Sequence, residues 1–294
     1  MHSGAIFAAL AFVWWGLFPL YFRFGPVVPA GEVLAHRVLW CTVFMLGLVT
    51  GRRQWAWFST LWRAPKVLVA FALSAVLIAA NWATYIWSVQ HGHVVDASLG
   101  YFINPLLNVL IGTTLLHERL SRAQWVALSI AGLGVAWLTA QAGHPPWIAL
   151  FLAVTFAAYG LLRKLATLGA LEGLTLETLL LAPVALAALG FWWREGIGSF
   201  PAPSLADNLW LIGLGPMTAA PLLMFAAGAR RLTLTALGLL QYLGPTIQFV
   251  LGVTVFDEPL SARRLVGFGC IWLALAIYTF DGSRPARNPP RAAA

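Results

Sequence analysis

Amide and phenol side chains at helical spacing carry the clearest chemistry in this sequence. Tyr101, Asn104 and Asn108 stand at i, i+3 and i+7, so a helix through them presents all three on one face. The positions 140 further on are Gln241, Gly244 and Gln248, which repeats the polar stripe with Asn108 and Gln248 as counterparts. Asn81 and Tyr85, four residues apart, make a second polar face. Such groups offer donors and acceptors either to a small polar solute or to a neighbouring helix. Two readings therefore stand side by side: Asn81, Tyr85, Tyr101, Asn104, Asn108, Gln241 and Gln248 line a solute pocket, or they are hydrogen-bonded glue between helices.

Charge in an apolar setting marks a second set. Glu32 and His36 share a helical face, Arg37 follows directly, and Asp96 is the opposite charge nearest to Arg37 in expected depth. These four form a gate or a protonation site of a coupled exchanger, or else an interfacial salt bridge with Arg37 reaching outward. Arg163, Lys164 and Glu177 form a comparable set at the opposite surface. Trp14, Trp15 and Trp82 lie deeper in their segments than the other tryptophans, where they either pack or offer a flat face to a solute.

Several chemistries are set aside. His91, His93 and Asp96 have no fourth ligand in reach, and His117-Glu118-Arg119 lacks the second histidine of a zinc motif. That segment and its counterpart at Glu258 read as helix-end carboxylates before a serine cap, Ser121 or Ser261. Cys41 and Cys270 each sit in an apolar run as small fillers. With no phosphate-binding loop and no nucleophile, base and acid set, the expectation is no metal, no cofactor and no enzyme.

The elements that must position these groups follow from composition. Of 294 residues, 60% are apolar and only 10% charged, with a mean hydropathy of +0.81. An aqueous globule needs a far larger charged skin. Ten apolar stretches long enough to cross a bilayer fit near residues 4–22, 31–50, 67–89, 97–116, 123–141, 146–163, 174–193, 208–228, 234–256 and 264–280. Their unbroken apolarity excludes a membrane barrel, whose strands alternate. The first stretch lacks a basic leader and a cleavage site and reads as a retained helix. With both termini placed in the cytoplasm, inner segments hold 13 Lys and Arg and outer segments 4, with Arg37 inside a span, so the positive-inside bias sets the orientation. The formal charge of +8 thus resides in cytoplasmic loops and tail, which removes it as a nucleic-acid signal.

Self-similarity then organises the chain. At an offset of 140, Pro105 meets Pro245, Gly112 meets Gly252, Thr114 meets Thr254, Glu118 meets Glu258, Leu120 meets Leu260 and Ser121 meets Ser261. Trp15-Gly16-Leu17 similarly resembles Tyr159-Gly160-Leu161, and Arg23 falls opposite Arg163. The expected fold is an all-α integral membrane protein of ten transmembrane helices. Residues 3–141 and 145–281 form two five-helix repeats, and 282–294 a basic Pro/Arg tail. An odd helix number inverts the second unit, a signature of secondary transporters that open a central site to each side in turn. Pro216 and Pro221 mark a gate or a static bend in the eighth span.

The segments WWGLFPLYFR, LAHRVLW, NWATYIWSVQHGHVVDASLGYFINPLLNVLIG, HERLSRAQW, YGLLRK, LETLLLAP and LQYLGPTIQFVLGVTVFDEPLS closely resemble the RarD family, bacterial members of the EamA branch of the drug/metabolite transporter superfamily. The resemblance runs over roughly residues 3 to 281. It implies two EamA repeats and a bacterial inner-membrane location. It also implies movement of small organic solutes, often outward, and a cavity lined by spans one, three, four, six, eight and nine. The expected partners are a small-molecule solute and membrane lipids, not nucleic acid, with homodimerisation left open. A membrane solute sensor or assembly partner that does not transport is the competing reading.

Overall fold

The structure is a computed structural model that describes residues 2–61, 64–91, 93–140, 145–256 and 262–283. Among these residues it is entirely helical, without a strand. The helices in chain order are α1 (His2–Arg23), α2 (Ala30–Gly51), α3 (Ala56–Leu61), α4 (Pro65–Gln90), α5 (Val94–Thr114), α6 (Arg122–Ala140), α7 (Trp147–Leu165), α8 (Ala170–Arg194), α9 (Leu205–Ala229), α10 (Leu234–Gln241), α11 (Leu243–Thr254) and α12 (Ala262–Ser283). Eight stretches are long and apolar enough to cross a membrane, Leu234–Thr254 counting as one, and Leu265–Asp281 is a shorter apolar helix. Large side chains such as Val69, Leu73, Leu133 and Val184 are exposed, as expected where hydrocarbon rather than water is the solvent.

Every segment read as a span from the sequence is helical, with two local differences. A short helix, α3, occupies the connection after α2 and was not expected. The ninth segment is broken at Tyr242 into α10 and α11, while α9 runs unbroken through Pro216 and Pro221. Pro245 lies just past that break and has no N–H for the Gln241 carbonyl four residues back, which removes a bond where the ladder stops. Ser121 begins α6 in a reciprocal capping box: the Gln124 N–H donates to its Oγ at 3.1 Å and its own N–H donates to Gln124 Oε1 at 2.9 Å. The equivalent cap at Ser261, together with Glu258 and residues 284–294 of the tail, lies outside the described residues.

Three helix pairs show how the chain closes on itself. Ser121 bonds Asp281 while Leu138 lies against Gly267, so α6 and α12 run antiparallel. Gly31 faces Trp192 while the Thr42 hydroxyl donates to the Thr178 carbonyl, so α2 and α8 do likewise. Glu118 meets Leu234 while the Tyr242 hydroxyl donates to the Phe102 carbonyl, and α5 runs antiparallel to α10. At the middle, rings of Phe12, Trp15, Phe156, Tyr159 and Phe225 join α1, α7 and α9, with centroids 5.3 to 6.0 Å apart.

Close approach, not hydrophobic drive, holds helices together in lipid. A methyl built on Gly215 of α9 would lie 2.4 Å from the carbonyl oxygen of Trp40 on α2, and backbone cannot step aside as a side chain can. Gly215→Ala is therefore expected to force α2 and α9 apart and to lower stability by about 1–3 kcal/mol. Thermal unfolding in detergent checks this; an unchanged midpoint would show that the contact is slack.

Candidate functional site

The polar stripes come together where α4, α5, α7 and α10 meet. Asn81 donates from Nδ2 to the Leu152 carbonyl and to Thr155 Oγ1, both at 2.9 Å. Asn104 donates to the Ala153 carbonyl at 2.6 Å. Asn108 donates to Asn104 Oδ1 at 3.1 Å and across to Gln241 Oε1 at 3.2 Å. All four amides are buried, and Asn108 Oδ1 has no hydrogen-bond partner among the described residues. Asn108 thus meets Gln241, not Gln248. Gln248 donates to the Trp15 carbonyl of α1 at 3.2 Å, just as Asn104 of α5 bonds the backbone of α7. In this conformation each of these amides has at least one hydrogen bond within the protein. Tyr85 and Tyr101 pack edge to face with centroids 5.7 Å apart.

The charged residues separate into three places. Glu32 accepts from the Ser199 N–H at 2.5 Å and from the Ser199 hydroxyl at 2.8 Å, which straps the α8–α9 connection to α2. His36 stands 3.7 Å from Glu32, and its Nδ1 accepts from Trp40 Nε1 at 3.2 Å. Arg37 points elsewhere: its Nε donates to Thr218 Oγ1 at 3.2 Å, and its guanidinium lies over the rings of Trp82 and Phe18, 4.5 and 5.5 Å from their centroids. The side chain of Asp96, expected as its partner, is outside the described residues.

The third place is a buried ion pair. Arg163 and Glu177 approach to 3.4 Å, each side chain 1% exposed. Ser74 donates to the same Glu177 oxygen at 2.5 Å, Arg163 also donates to the Ala170 carbonyl, and Phe71 covers its guanidinium. Lys164 is not part of this pair; its ammonium reaches the Leu232 carbonyl. Trp14 donates to the Met217 carbonyl at 3.2 Å, Trp15 lies in the ring cluster, and only Trp82 of the three faces a charge.

Sequence reasoning did not single out Ser74, Ser199 or Thr218, small hydroxyls with no periodic signal, and it gave Glu118 only a local role. Glu118 accepts from the Leu234 N–H at 2.7 Å, the Thr235 N–H at 3.0 Å and the Thr235 hydroxyl at 2.8 Å. It caps a helix 116 residues away. Glu32–Ser199, Tyr21–Trp210 and Arg23–Val255 contacts lie at one end of the bundle; Glu118–Thr235 and Lys164–Leu232 contacts lie at the other. Among the described residues no cluster of His, Cys, Asp and Glu could hold a metal ion.

Apolar helices long enough to cross a membrane, with charges and amides buried between them, make this a multi-pass membrane protein whose interior polar groups mark a functional site. The model of the EamA-like transporter family matches residues 2–140. The chain is 44% identical to an uncharacterized transporter of Pseudomonas aeruginosa over 99% of this chain and 98% of that one. It is 43% identical to protein RarD of Streptomyces exfoliatus, covering 98% and 91%, and 44% identical to protein RarD of Escherichia coli, covering 95% of each. The chain belongs to the EamA-like transporter family, and within it to the RarD proteins. A solved crystal structure shares its fold with a TM-score of 0.73 at 18% identity, over 97% of this chain and 99% of that one.

Proposed function

We propose that this chain is a secondary transporter that exports small organic metabolites or drugs across the bacterial inner membrane by alternating access. Ten spans form two inverted units, residues 3–141 and 145–281, with both termini in the cytoplasm. One observation carries this reading. The three helix pairs described as antiparallel, α2 with α8, α5 with α10 and α6 with α12, are each pairs of repeat counterparts. Counterparts that touch and run antiparallel are what an axis in the membrane plane produces; an axis along the membrane normal would leave them parallel. The remaining packing exchanges in the same sense: α5 on α7 answers to α11 on α1, α4 on α7 to α9 on α1, and α2 on α9 to α8 on α4. The contacts at the two ends are then the closures that part alternately, with Glu32, His36, Arg37 and Asp96 on the outer side.

A second reading, a solute sensor or assembly partner without transport, draws support from the amides, which spend their hydrogen bonds within the protein. Flux through reconstituted protein in sealed vesicles under a pH gradient separates the two. Asn108→Leu and Gln248→Leu are each expected to lower flux at least tenfold while the protein stays monodisperse, because each removes an interior donor along the path. Normal flux in both would take them out of the pathway; binding without flux would favour the sensor.

A further inference from the structure

The two halves treat one position oppositely. Arg23 and Arg37 in the first repeat correspond, 140 residues on, to Arg163 and Glu177 in the second. In the second half the arginine and the glutamate neutralise one another. In the first half an arginine stands where the glutamate would be, and Arg23 is turned outward to the Val255 carbonyl and the Phe256 ring. Arg37 is therefore a cation, 5% exposed, with no carboxylate paired to it among the described residues. Glu32 is five residues earlier on α2, rotated by roughly 140° about the axis, and is committed to Ser199. Among the described residues, the side chains that act on Arg37 electrostatically are Tyr101, Cys41 and Tyr85, none of them a carboxylate.

Its surroundings are specific as well as apolar. The guanidinium carbon lies 4.5 Å from the centroid of the Trp82 ring and 5.5 Å from that of Phe18, while Nε is held by the buried Thr218 hydroxyl. A ring contact of this kind consumes no N–H donor, so the Nη groups keep theirs for a hydrogen-bonding partner. Neither Nη donates a hydrogen bond among the described residues. An Arg edge matches the two oxygens of a carboxylate, and buried cations require such compensation. Trp82 and Phe18 lie against the guanidinium, and Tyr85 and Tyr101, packed edge to face on one another, are close enough to act on it electrostatically, so four rings from α4, α5 and α1 share its neighbourhood.

We propose that Arg37 is the carboxylate anchor of the substrate site, and that the four rings accept a flat apolar body, so the solute class is a small aromatic or similarly planar monocarboxylate. The proposal rests on the transport reading for its physiological meaning, but not for its test. Purified protein in detergent is titrated with 3-phenylpropionate, with its neutral counterpart 3-phenylpropanamide and with the cation 2-phenylethylammonium, following thermal midpoint and tryptophan fluorescence. Only the carboxylate is expected to raise the midpoint and change the emission. Arg37→Gln should weaken its binding more than tenfold. Arg37→Lys, which keeps the charge but loses the fork, should weaken it severalfold and serves if the glutamine variant does not fold. Arg52→Gln, exposed just past the end of α2, should leave binding unchanged.

Equal binding of the amide and the acid, wild-type affinity in both Arg37 variants, or no response to any of the three compounds would overturn the proposal. The carboxylate's flux is measured separately. If it binds through Arg37 yet never crosses a sealed vesicle, the site stands and the transport reading falls. If it crosses as fast with Arg37→Gln as with the unaltered protein, transport stands and the site falls.

Discussion

Replacing Glu177 by leucine is expected to lower folding stability by about 3–5 kcal/mol, because it leaves the Arg163 guanidinium as a buried cation with no counter-charge. Both side chains are 1% exposed, so neither water nor ions can substitute for the lost partner. The remaining contacts of Arg163, the Ala170 carbonyl and the Phe71 ring, supply a dipole and a quadrupole but no negative charge. Ser74 also loses its acceptor. The double variant Arg163→Met, Glu177→Leu removes both charges together and should recover most of the loss, since a well-packed apolar pair replaces a buried ion pair at little or no net cost. A double-mutant cycle by thermal or denaturant unfolding in detergent makes the check. If the double variant is as unstable as the sum of the singles, the two residues act independently and the pairing inferred from their geometry is wrong.

Most of the architecture was legible because the bilayer imposes a crude rule that apolar length alone reveals. α1, α2 and α4 to α9 each fall on a predicted stretch. Hydropathy was silent on α3, a single turn and a half outside the apolar runs, and on the break at Tyr242, where the chain stays apolar throughout. Proline content pointed to Pro216 and Pro221, but one missing donor at each is tolerated in α9.

Side-chain partners were the least legible layer. The 140-residue offset makes Asn108 and Gln248 counterparts, but it does not say which side chains meet; in a packed pair of antiparallel helices register decides, and register puts Gln241 opposite Asn108. Likewise Glu32, His36 and Arg37 adjoin in sequence, but 100° of helical rotation per residue sends Arg37 toward α9 and α4 while Glu32 reaches Ser199. Neighbourhood along a helix predicts a shared face at three, four or seven residues, and Arg37 is one residue from His36 and five from Glu32.

Removing the Glu118 carboxylate should open one end of the bundle. Its two oxygens accept from two backbone N–H groups and one hydroxyl at the start of α10, where the helix dipole favours a negative charge. Gly112 makes room for it: a methyl there would stand 2.5 Å from Oε2. Glu118 follows α5 and its partners begin α10, so under the proposed alternating access these bonds favour the conformation in which that end is closed. Glu118→Ala leaves orphan N–H groups and should cost that conformation about 3 kcal/mol, which shifts a two-state equilibrium roughly a hundredfold. Cys41, 1% exposed and within electrostatic reach of both Arg37 and Glu177, is a native reporter of the interior. In a Cys270→Ala background, its labelling by a water-soluble maleimide should rise at least tenfold in Glu118→Ala. Glu118→Gln, which retains one acceptor oxygen, should fall between. If Cys41 reacts no faster in either variant, Glu118 serves only to cap α10, and the end it bridges does not open on the timescale of the reagent.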